Sequence, residues 1–289
     1  MPTVFYEQDD VILYVTEACN SNCVMCPMSA ASRKRGFSLT QEQWEQVDGA
    51  IPADAQHVTI TGGEPFLEYR KVLPVMKHIA ETRPEAEVLV LTNGRAFSLD
   101  FITAEMLPFL TDRFTFAIPV HGPEAGLHDR ITQAEGSFAE TMAGIRKIAK
   151  SPARIEIRIV AHRLNLDALN DTIRMLVDSK IRISVINIIA MEMTGCAAAN
   201  REKLWVDYDE ICRRVYPGIQ YAILHQTDMG LYNFPLCCVP KELWGIAKNS
   251  ISYSKVRYYE ECGKCQEYKA CGGLFKSTMQ LKLCRVTPF

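Results

Sequence analysis

The chain has 289 residues, 48% of them hydrophobic, enough to fill the core of one large α/β domain with an appendage or of two ordinary domains. Its 32 basic and 34 acidic residues are interspersed and leave a net charge of −2, which excludes the one-signed surface that duplex nucleic acid or an anionic membrane requires. The acidic opening MPTVFYEQDD lacks the basic start and apolar run of a secretory signal, and no apolar stretch reaches bilayer-spanning length, so a cytoplasmic address is expected.

Taken from the amino terminus, the strand candidates are VILYVT (11–16), HVTITGG (57–63), EVLVLTNG (87–94), RFTFAIPV (113–120), RIEIRIVA (154–161) and RISVINIIA (182–190). The intervening segments carry helix-start signals, with Thr40 three residues ahead of Gln43 and Ser137 three ahead of Glu140. The basic run RKR (33–35) and the pair Arg213-Arg214 read as solvated faces. Repeated strand-helix units predict a parallel sheet with right-handed crossovers, as an open doubly wound sheet or as a whole or partial barrel. After about residue 195 the pattern gives way to a cysteine-rich tail. Eleven cysteines, an odd number gathered toward the two ends, point in a reducing compartment to metal or redox chemistry rather than a disulfide framework.

Chemistry-bearing residues follow the predicted strands at one edge. Cys19, Cys23 and Cys26 follow the first, Gly62-Gly63-Glu64-Pro65 ends the second, Thr92-Asn93-Gly94 the third, and His121-Gly122 the fourth. In parallel α/β proteins that edge is where the loops converge on a ligand crevice. The stretch ACNSNCVMCPMS supplies three thiolates and no nearby fourth. A four-iron cube needs a ligand on each iron, so three thiolates leave one iron open, as a catalytic zinc keeps a position for substrate. A zinc site or incidental thiols is the alternative, although zinc sites more often use paired Cys-x2-Cys hooks. Two glycines let a backbone approach a ligand closely, and Glu64 adds a carboxylate suited to an ammonium group.

These residues resemble the radical S-adenosylmethionine (SAM) superfamily, whose Cys-x3-Cys-x2-Cys motif Cys19, Cys23 and Cys26 match without a gap. The resemblance implies a partial (β/α)6 barrel over residues 1–195 and a 4Fe-4S cluster held by those three cysteines, with SAM chelating the open iron. A reduced cluster then breaks the sulfonium bond to give a 5′-deoxyadenosyl radical that abstracts hydrogen from substrate. It also implies that Gly62, Gly63, Glu64 and Pro65 contact the SAM amino group, that Asn93 and the His121 segment face ribose or adenine, and that Arg158 meets the SAM carboxylate. The alternation of Arg154, Glu156 and Arg158 equally suits side chains facing solvent or a helix. His57, His128 and His162 read as ordinary polar residues, and Met191 and Met193 as barrel-mouth or packing residues.

In the tail, ECGKCQEYKACGG places Cys262, Cys265 and Cys271, and PLCCVP adds Cys237 and Cys238. Residues 196–289 resemble the SPASM and twitch extensions of radical SAM enzymes, and most of all the His-Xaa-Ser system type peptide maturases. A full SPASM domain implies a further cysteine where Phe275 stands, so one auxiliary 4Fe-4S cluster is expected, on Cys237, Cys262, Cys265 and Cys271, with Cys238 the rival of Cys237. A structural zinc knuckle is the alternative. Cys196, Cys212 and Cys284 are left over as buried or free thiols, Cys284 being a possible substitute ligand. The resemblance implies modification of a ribosomally made precursor peptide, by hydrogen abstraction and then bond formation, including carbon-carbon closure such as a cyclopropane. A first strand near residue 11 leaves no room for an amino-terminal leader-binding domain, so a precursor would dock on the extension, on a sheet edge, or through a leader-binding partner or second maturase. A flavodoxin or ferredoxin is the expected electron donor, with no nucleic acid and no membrane among the partners. Two other readings stand: a radical SAM enzyme for a cofactor or nucleoside intermediate, and an iron-sulfur electron carrier or structural metal protein, for which Gly62 to Pro65 has no evident use.

Overall fold

The structure, a computed structural model, describes residues 4–7, 10–249 and 255–289. The chain forms a strand earlier than expected: β1 (Val4–Glu7) runs antiparallel to β2 (Asp10–Tyr14), the first strand read from the sequence. The other expected strands are β3 (His57–Thr61), β4 (Glu87–Leu91), β5 (Phe114–Pro119), β6 (Arg154–Ala161) and β7 (Val185–Ala190). Two more, β8 (Met229–Tyr232) and β9 (Ala247–Lys248), extend the same sheet. The strands lie side by side in chain order, and every pair from β2 to β9 is parallel. Because β1 and β9 stand at opposite edges without pairing, the barrel is partial rather than closed. A separate antiparallel pair, β10 (Val256–Arg257) and β11 (Leu274–Phe275), braces the cysteine-rich tail.

Helices α1 (Ala30–Arg35), α2 (Gln41–Ala50), α3 (Tyr69–Thr82), α4 (Asp100–Met106), α5 (Ala125–Thr132), α6 (Ser137–Ile148) and α7 (Leu169–Asp178) fill the crossovers. They are followed by α8 (Gly195–Ala199), α9 (Arg201–Leu204), α10 (Tyr208–Leu224) and α11 (Lys276–Gln280). The capping box ahead of α2 forms as read: Gln43 N–H donates to Thr40 Oγ1 at 3.2 Å, and Thr40 N–H to Gln43 Oε1 at 2.9 Å. The second signal is corrected. Asp129, on α5, caps α6 by accepting from Gly136 N–H, Ser137 Oγ and Phe138 N–H at 2.7, 2.8 and 2.8 Å, while Glu140 turns to Arg95. Helix α10 passes Pro217, and Asn170 of α7 repairs the interrupted ladder: it accepts from Gly218 N–H at 2.8 Å and donates to the Arg214 carbonyl at 2.9 Å.

Alternation along β6 separates the sheet's two faces. Ile155, Ile157 and Ile159 are fully buried in the main core with the helices, each contributing roughly 1.5–3 kcal/mol by leaving water. Glu156 and Arg158 take the opposite face, where Asn187 of β7 lies beside Arg158 in register. That core runs without a break from Val11 to Leu274, Phe275 and Cys284, so the tail packs on the sheet rather than hanging from it.

Candidate active site

Beyond their last paired residues, β2 and β3 stay zipped together. Val15 N–H donates to the Thr61 carbonyl, Gly63 N–H to Thr16 at 2.6 Å, and Glu64 N–H to Ala18 at 2.8 Å. A Cβ on Gly62 would lie 2.5 Å from the Thr16 oxygen and one on Gly63 2.3 Å from the Ala18 oxygen, so the double glycine lets the β3 loop lie flat on the stem of the thiol loop. The Glu64 side chain is completely buried and accepts from Phe66 N–H, Thr92 Oγ1 and Asn93 N–H at 3.0, 2.8 and 2.7 Å. Burial pushes its carboxyl up, and those bonds oppose the shift. Three donors leave a carboxylate room for about one more. Pro65 opens the turn Pro65–Glu68, and Asn93 reaches across to Asn20 of the thiol loop at 2.6 Å.

The loop carrying Cys19, Cys23 and Cys26 is braced on both flanks. Asn22 and Val24 N–H groups donate to the Thr132 and Ile131 carbonyls of α5, at 2.8 and 3.0 Å. From the far side of the sheet, Cys196 N–H donates to the Cys26 carbonyl at 2.9 Å and Asn200 Nδ2 to that of Val24 at 2.9 Å. All three thiols are pushed up chiefly by burial, Cys23 to about 12, with Cys19 and Cys26 adding to the shift at Cys23. The bare thiols are therefore protonated, and a metal group that binds their thiolates releases those protons. Neighbouring thiols on one rigidly tied loop fit a group that takes three sulfur ligands and leaves a face open.

Arg95 at this edge lay outside the sequence reading, and several residues that were read take other roles. Arg95 donates to Glu140 Oε2 at 2.6 Å, to Ser21 Oγ at 3.2 Å and to the Asn20 carbonyl, tying the β4 loop to the thiol loop. Arg33, read as part of a solvated run, is instead half-buried and donates to Cys196 Sγ at 3.1 Å. His121 is buried at the end of β5, its N–H donating to His128 Nδ1 at 3.2 Å. His128 and His162, read as ordinary polar residues, are buried too, and among the described residues His121 Nδ1 and both ring nitrogens of His162 find no partner. Burial holds His121 well below the usual histidine range and His128 and His162 at about 4, so all three are neutral at neutral pH. Arg158 pairs with Glu156 at 2.7 Å, and Glu156 also accepts from Asn187 Nδ2 at 2.8 Å.

In the tail, Cys237, Cys262, Cys265 and Cys271 line one pocket, with Tyr258 and Tyr268 in its wall. Backbone N–H groups of Leu236 and Gly273 donate to Cys271 Sγ, and that of Phe289 to Cys265 Sγ, each at 3.4 Å. Cys238 turns to Cys284 Sγ at 4.0 Å and the Arg285 carbonyl at 3.9 Å, so the geometry favours Cys237 at the cavity. Cys212 is buried in the main core. Among the described residues no three His, Cys, Asp or Glu side chains close on one point as a single metal ion requires. Four thiols around one pocket are a sulfur-only donor set, the chemistry that an iron-sulfur group or a zinc ion takes.

An open parallel α/β sheet with a three-thiol loop and a Gly-Gly-Glu-Pro loop interlocked at its ligand-binding edge defines an enzyme of the partial-barrel radical class. Residues 13–176 match the sequence profile of the Radical SAM superfamily, and the chain belongs to it. It is 24% identical over 207 residues to the AdoMet-dependent heme synthase of Methanosarcina barkeri, covering 70% of this chain and 56% of that protein. It is 24% identical over 198 residues to the PqqA peptide cyclase of Bradyrhizobium diazoefficiens, covering 67% and 49%. The chain thus spans about half the length of these curated relatives. Among solved structures, SuiB of Streptococcus suis bound to precursor peptide SuiA superposes with a TM-score of 0.60 at 12% identity, over 79% of this chain and 49% of that one. Native anSMEcpe with bound AdoMet and a peptide gives 0.64 at 12% identity, over 92% and 88%. Among the described residues no helix is long and apolar enough to cross a membrane.

Proposed function

We propose that this chain is a radical SAM enzyme that modifies residues of a ribosomally made precursor peptide. The observation that carries the reading is the main-chain interlock of the thiol loop's stem with Gly62-Gly63-Glu64-Pro65, which sets the two loops side by side; relatives named for peptide cyclisation support the choice of substrate. When bound, the 4Fe-4S cluster and SAM supply a 5′-deoxyadenosyl radical. Cys19, Cys23 and Cys26 hold the cluster, while Arg95, Asn20 and Asn93 fix the loop that carries them. Glu64, wholly buried, braces the main chain of the Gly62-to-Pro65 loop offered to the SAM ammonium through its bonds to Phe66 and Asn93, and neutral His121 and Asn93 stand at strand ends suited to the nucleoside. Arg158, oriented by Glu156, is the cation offered to the SAM carboxylate.

Cys237, Cys262, Cys265 and Cys271 would hold an auxiliary 4Fe-4S cluster, one thiolate per iron, which would supply an acceptor for the electron left when a substrate radical closes a new bond, carbon-carbon closure included. Hydrogen abstraction without return of that hydrogen consumes SAM. The peptide docks on the tail, on a sheet edge or through a leader-binding partner, and a flavodoxin or ferredoxin delivers electrons. None of the eleven cysteines forms a disulfide, and a reducing, cytoplasmic setting would keep them available as ligands. The relative named as a heme synthase favours a second reading, in which the substrate is a cofactor-like small molecule. Reduced, reconstituted protein incubated with SAM and precursor peptides encoded beside it tests both. The expected result is a mass change in one peptide together with 5′-deoxyadenosine. Unchanged peptides with consumption of a tetrapyrrole or nucleotide would shift the assignment to the second reading.

A further inference from the structure

Arg33 and Cys196 meet beside the thiol loop although one lies on α1 and the other opens α8, across the sheet. Ser29 starts α1, its Oγ accepting from Ser32 N–H at 3.0 Å, so the helix begins directly after the third thiol and turns Arg33 back toward the loop. Cys196 is fixed independently. Its N–H bonds the Cys26 and Met28 carbonyls at 2.9 and 3.3 Å, Ala197 N–H bonds Cys26 at 3.3 Å, and Thr194 Oγ1 bonds Pro27 at 3.1 Å. Gly195, at a φ of +53°, lets this approach happen, because a Cβ there would lie 2.3 Å from the Pro27 oxygen. The Arg33 guanidinium then donates to Cys196 Sγ at 3.1 Å. Because Cys196 is itself bonded to the Cys26 carbonyl, the guanidinium stands beside the thiol loop. Among the described residues no carboxylate pairs with Arg33.

We propose that Arg33 sets the electron affinity of the group held by Cys19, Cys23 and Cys26, and that Cys196 is the positioning residue that holds Arg33 there. This rests on the radical SAM reading of those thiols. A guanidinium stays charged at all working pH values, and a fixed cation favours the state with one more electron. The choice of a thiol as acceptor matters. An aspartate at residue 196 would hold the guanidinium as well but would cancel its charge, whereas sulfur orients it and leaves the charge acting on the site.

The test is a potentiometric paramagnetic-resonance titration of the reconstituted full chain without SAM. Arg33→Ala should make reduction of the amino-terminal cluster about tenfold less favourable, or about 59 mV for a one-electron couple. Arg33→Lys, which keeps the charge, should restore most of it. Cys196→Ser should stay within about twofold of wild type, and Cys196→Asp should shift as far as Arg33→Ala with the arginine still in place. An unchanged potential in Arg33→Ala overturns the proposal, including the case in which only SAM affinity falls and Arg33 is a SAM contact. Loss of the amino-terminal signal in Cys196→Ser overturns it as well, since Cys196 would then be a ligand. Absence of that signal in the wild type removes the thiol reading itself, and the proposal with it.

Discussion

Cys19, Cys23 and Cys26 share one loop at the end of β2, held by main-chain bonds to the β3 loop, to α5 and to α8. Cys237, Cys262, Cys265 and Cys271 come from short turns spread through the tail, where β10 and β11 are two residues each and the thiols surround a cavity. The first loop is therefore shaped by the sheet and its helices, whereas in the tail the thiols sit on separate short turns that are tied to the core through Leu274, Phe275 and Cys284. One region is preorganised by the fold; the cluster proposed for the other would tie its separate turns together.

The sharpest way to break this contrast is to remove each thiol set in turn. Replacing Cys19, Cys23 and Cys26 together by Ala should bring reductive SAM cleavage to background, measured as 5′-deoxyadenosine, and leave the tail's cluster signal intact. If 5′-deoxyadenosine still forms at the wild-type rate, this loop is not the SAM site. Iron is the next readout. The wild type should carry about eight irons per chain and Cys262→Ala/Cys265→Ala about four, by one ligand per iron. That double variant should also expose residues 236–289 to protease while the sheet stays protected; about four irons plus a zinc in the wild type would contradict the auxiliary-cluster assignment.

Smaller effects probe the preorganised side. Gly63→Ala drives a methyl into main-chain oxygens and should cost about 1–3 kcal/mol in denaturant unfolding, together with SAM affinity. Gly49→Ala, on α2 where nothing lies within 4 Å, should instead stabilise by about 0.4–1 kcal/mol. Equal responses would show that the close approach at Gly63 is not as described. The histidines give the pH dependence. His128 and His162 are held near 4 in the fold and return to about 6.5 when unfolded, so the unfolded chain binds more protons between those values. Their stability is present above pH 6.5 and is lost as pH falls toward 4, with a slope of up to about 1.4 kcal/mol per pH unit for each. His162→Gln should reduce that slope by one histidine's share in unfolding measured at pH 7 and pH 5.

The same contrast explains what the sequence could tell. Strands β2 to β7 were legible because each alternates or runs apolar over enough residues to show a period, and the first thiol motif because its spacing is contiguous. Val4–Glu7, Met229–Tyr232 and Ala247–Lys248 were not, since strands this short draw their stability from a neighbour rather than from a pattern. Ser137 carried the capping signature, yet Asp129 from the preceding helix does the work, a bond that local spacing does not encode. Arg95 escaped notice, and Arg33, Cys196 and His162 were given bland readings, because only the folded sheet brings them to the thiol loop or to His121. His162 did leave a trace: it directly follows a predicted strand, as His121 does.

The central claim is that the preorganised edge directs radical chemistry onto a peptide. Its most direct test is label transfer, in which precursor peptides deuterated at one residue type at a time are incubated with SAM and the reduced protein, and the 5′-deoxyadenosine is weighed. The account predicts that one labelled peptide passes a single deuterium into 5′-deoxyadenosine and is itself altered. Production of 5′-deoxyadenosine without deuterium from any peptide, with label arriving instead from a small molecule, would contradict it.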